Sequence, residues 1–373
     1  MKKLTLFVLC FVLLSVSFMV FAGDTEEKPD LKVYGFIKLD ALYETGNSSH
    51  GNYIIWAKDP GNSSGLFYVT ARETRVGVAV SGFSFGKFKV TGKMEVDFHS
   101  AGTEENKPYN FMRHAYLEIS NGSLTITAGQ TWDIISPLNP VTLNYSVLWG
   151  VGNIGYRRPQ LSVRKDIKTG KNVFTLQAGI FRTIASDYDT DGIEDGSAAG
   201  FPTFQGRIGG KFGFGKAGSL QLGVSGHYGK SKGLWDYTSD SLNADMLLVF
   251  SPKFKIIAEF FTGKNLGTYM GGVIQSVNTA FGKEIKAKGF YINAVANPSK
   301  KLQLGLGYSM DDPDDATLTT GSRSKNTSIF GNFLVTLSSS VKVGFEVSDW
   351  ITDYLNRARQ KTLRFQHSWI LYF

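Results

Sequence analysis

Three carboxylates at alternate positions, Asp187, Asp189 and Asp191, followed by Gly192, are the residues of this chain best spaced to hold an ion. Oxygen ligands two residues apart on a tight loop can converge on one hard cation, and a glycine after the third lets the backbone turn beneath it. Calcium is the cation such a loop suits, within 187–195. The bidentate glutamate that completes a helix-loop-helix site is missing. Ala198 stands at its position, so Glu194 or Asp195 must substitute for it. The alternative is an acidic, solvated loop. Asp311-Asp312-Pro313-Asp314-Asp315 is a second acidic cluster and reads as solvated.

Other chemistries find fewer of their residues. Gly213, Gly215 and Gly218 fit the dinucleotide pattern G-x-G-x-x-G, and 210–216 nearly fits a phosphate loop, with Ala217 where Ser or Thr would meet magnesium. Both patterns need a helix directly after the glycines. Here 220–224 reads as a strand, so the glycines predict a hairpin turn. The five histidines, His50, His99, His114, His227 and His367, form no H-E-x-x-H, and no G-x-S-x-G occurs. An outer-membrane hydrolase would have to assemble its triad from scattered residues. The one cysteine, Cys10, lies within the first 22 residues, so no thiol nucleophile, disulfide or cysteine-held metal is expected beyond it. No pattern in the chain requires a cofactor, and no enzyme activity is expected.

Most charged residues fall instead in rows. Between Lys87 and His99, Phe88, Val90, Gly92, Met94, Val96 and Phe98 share one face. Lys87, Lys89, Thr91, Lys93, Glu95, Asp97 and His99 share the other. So many charges cannot face a dry core without a large desolvation cost, but they can line a water-filled lumen. A soluble sheet wetted on one face is the alternative. The run has the length of a tilted membrane strand and exceeds the usual strand of a globular sheet.

Along the chain, alternating runs recur at 33–43, 71–80, 87–99, 111–119, 124–130, 156–165, 173–182 and 203–212. They continue at 220–228, 242–250, 254–262, 285–296, 302–310, 327–337, 341–349 and 362–373, sixteen in all. Short connections at 81–86, 120–123, 166–172, 213–219, 251–253, 297–300 and 338–340 alternate with long ones at 44–66, 131–155, 184–201 and 263–284. Short turns at one end and long loops at the other suit an antiparallel transmembrane β-barrel of about 16 strands, with periplasmic turns and external loops.

The ends of the chain agree. Lys2 and Lys3 precede an apolar run over 4–21, and Val20-Phe21-Ala22 offers small residues for cleavage, so 1–22 reads as a signal peptide rather than a membrane anchor. Leu9 is too bulky for a lipoprotein box before Cys10. A short polar segment, 23–31, then leads into the barrel, 32–373. Removing Lys2 and Lys3 brings the formal charge from +8 to about +6, too diffuse for a nucleic-acid surface. Aromatics are 13% of residues, with 42 Gly against 10 Pro, and no second apolar run is long enough for a spanning helix. At the other end, Phe365, Trp369, Leu371 and Phe373 share a face, opposite Arg364, Gln366 and Ser368. That pattern resembles the carboxy-terminal assembly signal of bacterial outer-membrane proteins. The last strand is expected to pair with 33–43, Arg364 and Gln366 toward water and His367 on the apolar side.

Several segments also resemble, in order, those of DcaP-like trimeric porins within the general bacterial porin superfamily. Val33-Tyr34-Gly35-Phe36-Ile37-Lys38-Leu39-Asp40-Ala41 is similar to their first strand, and Ala71-Arg72-Glu73-Thr74-Arg75-Val76-Gly77 to their second. Arg113-His114-Ala115-Tyr116-Leu117, Gly129-Gln130-Thr131-Trp132 and Arg157-Arg158-Pro159-Gln160-Leu161 resemble later segments. The resemblance covers nearly all of the first half after the leader, plus Phe373. It implies a sixteen-stranded, water-filled barrel in the bacterial outer membrane, usually a homotrimer, passing small and often anionic solutes. The helical periplasmic extension of some members has no counterpart in 23–31.

The same resemblance implies that the loop after the fifth strand, 131–155, folds inward and narrows the pore; Trp132, Asp133, Pro137, Pro140 and Trp149 belong to it. Selectivity then rests on lumen charges. The alternation offers Lys38, Arg75, Lys89, Lys93, His114, Arg158, Arg164, Arg207 and Lys211 against Asp40, Glu73, Glu95, Asp97 and Glu118. The excess of basic groups predicts a mild anion preference in a passive channel. Many of these charges can equally pair across strands, and one β-bulge would reverse a face. The expected partners are outer-membrane lipid and lipopolysaccharide, the barrel assembly machinery and small anionic or polar solutes. An adhesin or purely structural barrel is the alternative function.

Overall fold

Long strands with one apolar face leave rows of unpaired backbone groups at their edges, and a sheet that pairs its last strand with its first has no edge left. The computed structural model of the chain describes residues 28–59, 61, 65–99 and 104–373, and it closes in that way. The expected signal peptide 1–22 and residues 23–27 lie outside the described residues. In chain order the strands are β1 (Asp30–Glu44), β2 (Asn47–Ser48), β3 (Ala57–Lys58), β4 (Leu66–Thr70), β5 (Arg75–Phe85), β6 (Phe88–Asp97), β7 (Phe111–Ser120) and β8 (Leu124–Trp132). There follow β9 (Arg157–Thr169), β10 (Asn172–Phe181), the single turn of helix α1 (Asp195–Ala198), β11 (Thr203–Phe214), β12 (Gly218–Lys232), β13 (Asp236–Ser251) and β14 (Phe254–Lys264). The remainder are β15 (Val277–Asn278), β16 (Lys283–Glu284), β17 (Lys286–Ser299), β18 (Leu302–Pro313), β19 (Arg323–Thr336), β20 (Val341–Tyr354) and β21 (Arg357–Tyr372).

Seventeen of these strands form one antiparallel sheet. β1 pairs with β4 through Asp40–Glu44 and with β5 through Asp30–Phe36, so β4 and β5 are two pieces of one stave broken at 71–74. The barrel therefore has sixteen staves. Its seam runs between β1 and β21, in register from Phe36 opposite Tyr372 to Glu44 opposite Arg364. Gly35 and Phe373 finish the seam by exchanging two backbone hydrogen bonds, of 3.1 and 3.2 Å. Only glycine fits there, because a Cβ on Gly35 would lie 2.1 Å from the Arg75 carbonyl oxygen.

Short turns collect at one end, at 86–87, 121–123, 170–171, 215–217, 252–253, 300–301 and 337–340. The glycine pattern at Gly213, Gly215 and Gly218 is the β11–β12 hairpin, not a nucleotide loop. Long loops collect at the other end, with two brief hairpins, 233–235 and 355–356, among them. The outward faces carry exposed apolar side chains, among them Val33, Ile37, Leu39, Ile208, Val224, Leu306, Trp369 and Leu371. Among the described residues no helix is long and apolar enough to cross a membrane.

The interior departs from a lumen wetted on every side. Ile257, Tyr291, Val295, Phe330 and Trp350 point inward from β14, β17, β19 and β20 and are buried against Ile54, Ala57, Leu148 and Val151 of two loops. A second cluster joins Ile135 and Ile154 to Phe261, Leu266 and Tyr269. The expectation that Arg364 and Gln366 face water is corrected: both point inward but are buried. Arg364 is bound to Glu44 and to the carbonyls of Gly51 and Asn52, and Gln366 to Asp40 and the Leu143 carbonyl. The loops cover them. His367 lies on the outward side, its ring 6.0 Å from that of Trp369.

Candidate functional site

A loop inside a barrel must find partners for backbone groups that no ladder satisfies. Loop 133–156 finds them on the wall. Ile134 N–H donates to Gln205 of β11 at 2.9 Å, and Leu138 N–H and the Ser136 hydroxyl donate to Glu259 of β14. Val141 N–H donates to Asn293 of β17 at 2.9 Å, while Asn332 of β19 donates to the Val141 carbonyl at 2.8 Å. Leu143 N–H donates to Glu346 of β20 at 2.7 Å, and Lys38 of β1 donates to the Leu143 carbonyl at 2.9 Å. The Tyr145 hydroxyl then reaches Asp97 of β6 at 3.0 Å. The loop thus runs along the inner wall from β11 to the seam and on to β6. It passes β17 so closely that a Cβ on Gly152 would lie 2.1 Å from the Phe290 carbonyl oxygen.

Two other loops join it. Asn326 of β19 donates to the carbonyls of Ile55 and Gly150, at 2.7 and 2.8 Å. Gly150 and Gly155 donate to the carbonyls of Met270 and Tyr269. His99, just past β6, has its ring 5.1 Å from Tyr53 and 4.1 Å from Tyr145. Burial, and then the nearby cations Lys38, Arg72, Arg113 and Arg75, hold His99 down at about 3, so its imidazole is neutral. Burial and then Lys58 also lower His50, which stacks on Tyr53.

Beside the loop two cavities remain. One, of about 310 Å³, is bordered by Lys38, Glu73, Arg75 and Arg113, with Trp132, Tyr145 and Trp149. The other, of about 570 Å³, is bordered by Glu118, Asp133, Arg164 and Asp166, with Trp132 and Pro137. Trp132 and Asn139 border both. Cations outnumber carboxylates around the first, and carboxylates outnumber cations around the second.

Of the charged residues singled out by alternation, Lys38, Glu73, Arg75, Glu118 and Arg164 border these cavities. Lys38 also binds Glu73 and lies 3.4 Å from Asp40. Asp40, Glu95, Asp97, His114, Arg158 and Arg207 are buried behind the surface. Arg158 pairs with Asp133 at 2.8 Å and lies over the Tyr269 ring, and Arg207 pairs with Asp245 at 2.6 Å. Lys89, Lys93 and Lys211 border neither cavity, and Lys93 pairs with Glu95 at 3.2 Å. Pro140 is buried in the loop. His114 lies 3.0 Å from Thr131 Oγ1 but 3.8 Å from Glu95, beyond hydrogen-bond reach, and Glu95 is already held by Arg113 and Tyr34. That arrangement is not a catalytic triad.

Alternation missed Arg113. Its guanidinium pairs with Glu95 at 2.9 Å and Asp97 at 2.7 Å. A bulge lets it turn inward beside His114: β6 pairs Glu95 with His114 but Val96 with Met112. Met112 and Leu117 are both exposed outward, five residues apart, which strict alternation forbids and which was the available signal. The loop anchors Glu259, Asn293, Asn332 and Glu346 were missed because nothing local marks their backbone partners.

In loop 182–202 the structure brings Asp187 and Asp189 together with Asp195; Asp191 stays outside the group. Burial, and then the facing carboxylates of Asp189, Asp187 and Asp191, raise Asp195 above the usual range, against a lowering by the Tyr188 N–H.

No family model matches the chain, and no curated protein does. Solved structures do. The outer-membrane channel DcaP of Acinetobacter baumannii superposes with a TM-score of 0.74 at 20% identity, over 94% of this chain and 99% of that one. An anion-selective porin from Comamonas acidovorans gives 0.61 at 13% identity, over 93% and 100%. In-vitro folded OmpT of Vibrio cholerae in its trimer form gives 0.56 at 11%, over 93% and 100%. The chain therefore has the sixteen-stave fold of bacterial outer-membrane porins, and the likeness to DcaP-like channels read from its segments holds for the fold along nearly the whole chain.

Proposed function

We propose that the chain is a channel of the bacterial outer membrane for passive diffusion of small hydrophilic solutes, with a mild preference for anions such as organic acids. The single observation that carries this reading is the cavity left inside the barrel beside loop 133–156, about 310 Å³, where Lys38, Arg75 and Arg113 stand against one bordering carboxylate, Glu73. Basic groups at the narrow point lower the barrier for anions, and the carboxylates of the neighbouring cavity orient polar solutes across the path. In this reading loop 133–156 is the constriction, and diffusion down a gradient needs no cofactor.

The apolar outward face fits lipid and lipopolysaccharide contact, and the porin fold supports a homotrimer. The barrel assembly machinery is the expected partner of the Phe365–Phe373 strand. Nucleic acid is no partner in this reading. An adhesin would share the architecture but not the permeability. Planar-bilayer conductance separates the two, since a purified protein forming no stable channel would sink the porin reading. Reversal potentials under a potassium chloride gradient test the preference, and a cation-selective sign refutes it.

A further inference from the structure

We propose that the external loop between β10 and β11 binds one calcium ion through Asp187, Asp189 and Asp195, with Asp191 outside the ligand set. One carboxylate oxygen from each of the three lies within 4.8 Å of the others. A group of acids alone would say little. The second observation is that Asp195 is fully buried, yet among the described residues its Oδ2 has no hydrogen-bond partner, and neither has the buried Oδ1 of Asp187. Among the described residues none of the three forms an ion pair; the nearby Arg182 is spent on Glu194 at 2.7 Å. Buried carboxylate oxygens without a counter-charge are costly, and a divalent cation at their centre removes that cost.

The loop's own hydrogen bonds explain which acids converge. Asp191 is exposed and its Oδ1 accepts the Ile193 N–H at 2.7 Å, so it shapes the turn. Thr190 and Gly192 carry the left-handed backbone there, at φ 59° and 87°. Asp195, eight residues after Asp187, opens the short helix α1 and is placed under the turn by accepting the Tyr188 N–H at 3.3 Å. Its Oδ2 abuts Gly233 in the β12–β13 hairpin, where a Cβ would lie 2.1 Å away. An ion at the three acids therefore ties loop 182–202 to the rim of the barrel. Calcium suits the site better than magnesium, because a loop with few protein ligands does not enforce octahedral geometry. Without a bidentate glutamate the affinity belongs with extracellular modules, about 0.1–1 mM.

The test is calorimetric titration of calcium chloride into protein refolded in detergent, free of lipopolysaccharide and stripped with EDTA. Its outcome does not depend on whether the barrel conducts. One site is expected, with affinity lost by about tenfold or more in D195N and D189N and changed less than about threefold in D191N. D189N alters a half-exposed side chain, so it reports on binding even if D195N misfolds; heat-modifiable gel migration checks each variant. Absence of calcium heat up to roughly 10 mM, or a D191N loss equal to that of D189N, overturns the proposal.

Discussion

The backbone N–H of Leu143 donates to the Glu346 carboxylate at 2.7 Å, fastening the middle of the inward loop to β20 at a residue 203 positions away. Glu346 also accepts from Asn332 at 2.9 Å, so one carboxylate holds both loop and wall. Glu346→Ala removes every acceptor, and each lost bond to the charged group costs about 1.5–3 kcal/mol of local stability. The expected result is a higher, noisier single-channel conductance with little change in the melting of the barrel. Glu346→Gln, which keeps one acceptor oxygen, should fall between. A wild-type trace from the Ala variant would refute the anchoring role.

Among the described residues, Arg113 is the sole cation within 3 Å of both Glu95 and Asp97. Removing it leaves buried Asp97 with Arg75 at 3.9 Å as its nearest remaining cation, while Glu95 keeps Lys93 at 3.2 Å, a loss of up to about 3–5 kcal/mol. Arg113→Ala should lower the melting temperature and move the reversal potential toward cations. Arg75→Ala should shift selectivity with a smaller stability loss, since Arg75 is part-exposed and lies 3.5 Å from Glu95. Equal effects on melting would contradict the difference in burial.

Acid should loosen the loops. His99 is held down at about 3 in the folded protein, below the ordinary 6.5 of an unfolded histidine. Below 6.5 the unfolded chain therefore binds a proton that the folded loop refuses, and folding loses stability as protons are added. The contribution is intact above pH 6.5 and is lost progressively as pH falls toward 3. His50, also lowered, adds in the same direction. Conductance noise and protease sensitivity of loop 45–65 should rise across that window, and His99→Phe, which keeps the ring, should flatten the response. An unchanged pH profile in that variant would assign the effect elsewhere.

The seam offers a covalently minimal test. Gly35→Ala places a Cβ 2.1 Å from a backbone oxygen that cannot swing away, so β1 must separate locally from β5. Deleting Phe373 removes the two backbone bonds to Gly35 instead. Both variants should lose heat resistance and assemble more slowly in cells, measured by gel mobility of unheated samples. Wild-type mobility and yield in both would show that the seam tolerates a gap.

Alternation along 87–99 and its fellow runs made the barrel legible, because a period of two needs only local reading. The seam was legible too, from the apolar face ending at Phe373. Arg113 was not, since one extra residue between Met112 and Leu117 turns it inward. The packed side of the lumen left a fainter trace: in Phe254-Lys255-Ile256-Ile257-Ala258-Glu259-Phe260-Phe261 one face is wholly apolar, and the other sets Ile257 and Phe261 beside Lys255 and Glu259 rather than a row of charges. What no local pattern could convey is that Glu259, Asn293 and Glu346 serve backbone groups from a loop more than 100 residues distant.

Because Ile257, Tyr291, Val295, Phe330 and Trp350 are sealed beneath loop residues, part of the sixteen-stave wall is withdrawn from the interior space. Bore is then decoupled from strand number. In the proposed channel, trimming or lengthening 133–156 would resize the aperture while the hydrogen-bonded cylinder keeps its circumference, so one loop rather than the frame sets the bore.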